Sequence, residues 1–128
     1  MNIQGFVRGV LNHMAVRARG EIDCIQSPPP GRNPLQKRAE MHNWYRGLSE
    51  GDKAMVQRLI RDTVEGTVYG FLMILDHKTF IEGAGQKGEL QLHYRAPNGS
   101  RVRLNPLGGE NGKDLEYYFK TLRDASEP

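Results

Sequence analysis

The side chains best suited to covalent or proton-transfer chemistry are one cysteine, Cys24, and four histidines at positions 13, 42, 77 and 93. Nucleophilic catalysis needs a thiol or hydroxyl beside a histidine that an acid in turn orients. Cys24 lies at the edge of a proline-rich stretch, and no histidine stands at a motif spacing from it, so a half-buried, inert thiol is expected. The histidines lack a metal pattern such as H-E-x-x-H, and a lone cysteine does not complete a structural zinc site, which takes several close Cys or His ligands. Glu50 and Asp52 follow Ser49 where a helix start uses acids, so capping accounts for them. No catalytic, cofactor-binding or metal-ligating residue is assigned.

Gly83-Ala84-Gly85-Gln86-Lys87-Gly88 fits G-x-G-x-x-G, a pattern that cradles a pyrophosphate only between a strand and a helix. Here the alternating segment from Glu89 follows instead. A flexible connection is the expectation. The catalytic alternative is a site built from loops 83–88 and 106–112, which would need a deep polar pocket lined by His93 or His77.

Two constellations bear on binding. Glu89 to Arg95 and Ser100 to Asn105 alternate strictly around Pro97-Asn98-Gly99, a hairpin signal because Asn and Gly accept positive φ. A three-residue loop sets Tyr94 against Val102 and Leu92 against Leu104, like against like, with Gly99 left-handed. The outward face then carries Gln91, His93, Arg95, Arg101 and Arg103, with Arg95 opposing Arg101 and His93 opposing Arg103. Opposed like charges favour an anionic partner, such as nucleic acid or an acidic protein. The second constellation is His42-Asn43-Trp44-Tyr45. Trp44 and Tyr45 suit interface anchors, although a lone Trp in a small domain is more often core, and core is expected.

These residues need elements to hold them. Ile3, Phe6, Val7, Val10, Leu11 and Met14 keep a helical spacing, which predicts a first helix reaching towards Arg19 and closed by Gly20. Ser27 to Pro34 holds four prolines, a linker by composition. A helix from about Leu35 through Tyr45 should bury Met41, Trp44 and Leu48. Ser49 then opens the strongest element, 50–75, whose face Met55, Val56, Leu59, Ile60, Val64, Val68, Phe71, Leu72 and Leu75 marks a core helix. Gly66 and Gly70 on that helix each cost roughly 1 kcal/mol against Ala, so close approach of another element, within the chain or across a homodimer, is expected there. Leu115, Tyr118, Phe119 and Leu122 predict a last helix, with Asp114 near its cap.

The expected fold is therefore α+β, with helices around one long central helix packed on an antiparallel hairpin. Its parts are an amphipathic extension at 1–26, a linker at 27–34, a compact domain at 35–124 and a disordered tail at 125–128. At 128 residues the chain buries about two-thirds of its unfolded surface, which excludes separate cofactor and substrate domains. The longest apolar run, Phe71 to Leu75, is far too short to cross a bilayer, so no membrane partner is expected. The interrupted apolar pattern near Met1 does not read as a signal peptide, and the lone cysteine suits a reducing, cytoplasmic setting. The net charge of +3 is a remainder: residues 1–48 carry +4, 49–76 carry −2, 77–108 carry +3 and 109–128 carry −2.

The block from Met41 to Asp76, with the Gly88 to Leu92 strand and the tail from Leu104 to Leu115, resembles a group of small uncharacterised bacterial proteins. The resemblance implies a bacterial origin and brings no activity. The function expected is a non-enzymatic protein-protein interaction module, an adaptor, inhibitor or regulator. Nucleic-acid binding through the basic hairpin is the alternative, and a loop-built small enzyme the third reading.

Overall fold

A computed structural model describes residues 1–32 and 35–126. It is α+β, with helices α1 (Ile3–Gln26), α2 (Gln36–Arg46), α3 (Glu50–Leu75) and α4 (Leu115–Ser126) and one antiparallel hairpin of β1 (His93–Arg95) and β2 (Arg101–Arg103). The chain divides into two compact units, Met14–Gly66 and Met1–His13 with Thr67–Pro128. The division runs through α1 and α3 rather than through the proline-rich segment. Of that segment, Asn33 and Pro34 lie outside the described residues, as do Glu127 and Pro128 of the expected tail. Ala125 and Ser126 belong to α4.

In the unit Met1–His13 with Thr67–Pro128, the core is Ile3 and Val7 of α1, Leu72 and Leu75 of α3, Leu104, and Leu115 and Phe119 of α4. The start of α1 is thus a core element of this unit. The Phe119 ring lies 5.6 Å from that of Tyr69. Ser49 and Asp114 cap their helices: the Asp52 amide donates to Ser49 Oγ at 3.1 Å and the Tyr117 amide to Asp114 Oδ1 at 2.9 Å, which satisfies donors that a helix start leaves free.

The hairpin has the register the alternation predicts, His93 opposite Arg103, Tyr94 opposite Val102 and Arg95 opposite Arg101. Ala96 and Ser100 close the three-residue loop, with Gly99 at φ 87°. The paired strands are only three residues each, because Asn105 replaces the ladder beyond them. It accepts from the Leu92 amide at 2.7 Å and donates to the carbonyls of Leu90 and Leu75, each at 2.8 Å. One side chain thereby ties the strand lead-in to the last carbonyls of α3.

In the unit Met14–Gly66, Ala18, Ile22 and Ile25 of α1 are buried at helical spacing, as is Tyr45 of α2. They carry α1 past Gly20 to Gln26, since repeated burial on one face outweighs one glycine's roughly 1 kcal/mol. Helix α2 is rotated by one residue from expectation. His42 and Tyr45 are buried, while Met41 and Trp44 are exposed. His42 Nδ1 and the Tyr45 oxygen find partners, described below, which offsets part of the penalty that would favour Met and Trp inside. Met55, Leu59 and Phe71 of the expected core face are exposed as well. Gly66 and Gly70 have open space where a Cβ would stand, so among the described residues no element approaches them closely.

Candidate functional site

The hairpin face is less basic than its sequence. Arg103 pairs with Glu89, Gln91 Nε2 donates to the same carboxylate at 3.1 Å, and His93 Nε2 lies 3.3 Å from Gln91 Oε1. The Arg103 pairing holds Glu89 below the usual carboxylate range. Arg95 and Arg101 remain exposed, with no acid in salt-bridge range among the described residues. Two free guanidinium groups are left of the four-residue basic face.

The glycine loop does not form a phosphate cradle. The Gly88 amide, which such a loop would offer an anion, donates at 2.9 Å to the chain's own Glu82, and the Lys87 ammonium bonds the Gly83 carbonyl. The crevice between this loop and His77 holds only about 10 Å³, room for one water at most. The element that comes next after Gly88 is strand β1, not a helix. Beside His77, the loop-built enzyme site thus has this one-water crevice and not the deep polar pocket it would need.

The densest titratable cluster joins α3 to α4. Asp76 accepts from the amides of Leu115 and Glu116 at 3.3 and 2.8 Å, placing a carboxylate at the positive end of the α4 dipole. Burial pushes the Asp76 carboxyl up, and the Glu116 amide pulls it back. Glu116 receives Lys120 at 2.7 Å, Lys78, and the Tyr69 hydroxyl at 2.7 Å; these bonds, Lys120 first, hold it down at about 2. Lys78 also meets Asp114 at 2.9 Å. Each charged group of the cluster has a partner, Asp76 through the α4 amides and the others through ion pairs, which fits a clamp between two helix ends.

A cleft of about 400 Å³ opens in the unit Met14–Gly66, lined by Gln26, His42, Tyr45, Arg46, Lys53 and Gln57, with Glu50 at its edge. Each side chain has a structural reason to be there. His42 and Tyr45 stand three apart on one face of α2 and are 8% and 3% exposed. Lys53 and Gln57 are four apart on the first turns of α3. His42 Nδ1 lies 3.0 Å from the Ile25 carbonyl, and a carbonyl can only accept, so Nδ1 carries the proton. The Tyr45 hydroxyl accepts from Gln57 Nε2 at 3.0 Å and from Gln26 Nε2 at 3.4 Å. Lys53 sits 5.8 Å from the Tyr45 ring centroid and 3.3 Å from Glu50.

Of the aromatic cluster singled out in the sequence, Tyr45 therefore builds the cleft and Trp44 points away to solvent. Gln26, Lys53 and Gln57 are not legible as site residues. The available signal was the i, i+3 pair His42 and Tyr45, both polar-tipped aromatics, ahead of a helix start with Lys53 and Gln57 at i, i+4. Cys24 is exposed rather than half-buried, with Arg38 Nη1 3.3 Å from its sulfur.

Four helices and one two-stranded hairpin with a polar cleft define a small α+β protein. No protein family, curated protein or solved structure matches the chain.

Proposed function

We propose that this protein is a non-enzymatic interaction module, bacterial and cytoplasmic, that binds another protein through exposed apolar side chains of α2 and the first half of α3. The observation that carries the reading is the exposure of large apolar groups on these helices: Met41 is 54%, Trp44 57%, Met55 61% and Leu59 66% accessible. Single exposed apolar residues need no explanation, but Trp and Met together are the side chains interfaces concentrate. Met55, Leu59 and Gly66 share one stripe of α3 by their spacing, and Gly70 continues it. The open space at both glycines would let a partner helix, or the same stripe of a second copy in a homodimer, come close. No helix among the described residues is long and apolar enough to cross a membrane.

Nucleic-acid binding is the second reading, supported by the unpaired Arg95 and Arg101. Recovery of the tagged full chain from its host tests both. The interaction reading expects a co-purifying protein that survives nuclease and high salt. The nucleic-acid reading expects recovery that falls steeply with salt. A chain that emerges alone at every salt concentration contradicts both.

A further inference from the structure

The cleft of the unit Met14–Gly66 has an unfinished hydrogen-bond inventory. Two gaps and two cations define it. Tyr45 is 3% exposed, and its oxygen already accepts two bonds, from Gln26 and Gln57. Its own O–H has no acceptor among the described residues. The cleft opens beside this residue, and the bond its hydroxyl has left to make is a donation. His42 shows the complementary gap. With Nδ1–H directed at the Ile25 carbonyl, Nε2 is the acceptor of the ring in its uncharged form, and no described residue donates to it.

Around these two atoms stand Arg46, which has no hydrogen bond or ion pair among the described residues, and Lys53, held over the Tyr45 ring and paired only with Glu50. Glu50 is a weak competitor. Its side chain is 92% exposed, and an exposed pair of this spacing holds its partner loosely. The cleft also receives the first turns of α3, whose dipole favours negative charge. The groups that remain are thus two cations and one neutral donor, which ask for an oxyanion, and one acceptor, which asks that the oxyanion bring a proton of its own.

We propose that this cleft binds an oxyanion that carries its own hydroxyl, with hydrogen phosphate as the simplest case. Arg46, Lys53 and the Tyr45 O–H receive the unprotonated oxygens, and His42 Nε2 accepts the P–O–H. The acceptor is the discriminating element. Sulfate has the size and charge of hydrogen phosphate but no proton at neutral pH, so it would face the His42 lone pair with an oxygen lone pair. A ligand that leaves the site's acceptor unpaired binds more weakly than one that pairs it. This inference is independent of protein docking on the Met41 and Trp44 surface.

The test is calorimetric titration of the full chain with inorganic phosphate and with sodium sulfate, at equal ionic strength and equal pH. Saturable phosphate binding is expected, about tenfold or more tighter than sulfate, the worth of one hydrogen bond to a charged group. Lys53→Met should weaken phosphate about tenfold, and Glu50→Gln, an exposed change that leaves packing alone, should tighten it. His42→Phe should bring phosphate down to sulfate; should that variant fail to fold, the phosphate-to-sulfate ratio of the wild type decides. Absence of saturable phosphate binding, equal affinity for sulfate, or indifference to both Lys53→Met and Glu50→Gln would overturn the proposal.

Discussion

Asn105 is the side chain on which most of the hairpin's attachment depends. It is 1% exposed, and its amide makes three backbone bonds, which leaves nothing for water to replace. Asn105→Ala strands a buried carbonyl, a part-buried carbonyl and a part-buried amide, so a loss of about 2–3 kcal/mol is expected in urea unfolding, at about 1 kcal/mol per bond. A loss under about 1 kcal/mol would show that water reaches these groups. The glycines make a contrasting pair. A Cβ at Gly109 would stand 2.4 Å from the Lys113 carbonyl at φ +71°, whereas Gly66 and Gly70 have open space. Gly109→Ala should therefore destabilise, while Gly66→Ala should stabilise the free chain by about 0.5–1 kcal/mol. Residue-level roles were the least legible part of the sequence. Asn105 reads there as the last residue of an alternating strand, because nothing local announces a partner thirty residues away.

At the scale of elements, α4 is positioned by its first turn. Asp76 supplies a carboxylate to two of its free amides, and Lys78, Lys120 and Tyr69 converge on Glu116. Glu116 is held at about 2 against an ordinary 4.5, so its contribution is present above pH 4.5 and is lost as pH falls through about 2. Asp76 acts in the opposite sense, since burial raises it and ionising it costs stability as pH rises through its range. Glu116 has the larger displacement, so thermal unfolding should weaken steeply on the acid side, and Glu116→Gln should flatten that limb. An unchanged acid limb in the variant would place the dependence elsewhere. Element boundaries were legible wherever spacing carried information: α3 spans the predicted 50–75, and the hairpin register follows from which residues must share a face. The rotation of α2 was not legible. Hydrophobicity favours Met41 and Trp44 inside, and only the bonds from Ile25, Gln26 and Gln57 make His42 and Tyr45 the buried pair.

For the whole molecule, periodicity located the apolar stripes but not what covers them. Among the described residues, eleven hydrophobic side chains are buried and thirteen large ones are exposed, so apolar spacing on α3 marked both a core face and an open one. The reading of the protein as an interaction module depends on that open surface. Its most direct test replaces Met41 and Trp44 together by serine in the tagged full chain and compares partner recovery with wild type, alongside the unfolding midpoint. Both side chains are exposed, so stability should change by less than about 0.5 kcal/mol, while recovery of the co-purifying protein should fall about tenfold or more. Equal recovery by the double variant and the wild type, at equal stability, would contradict the account.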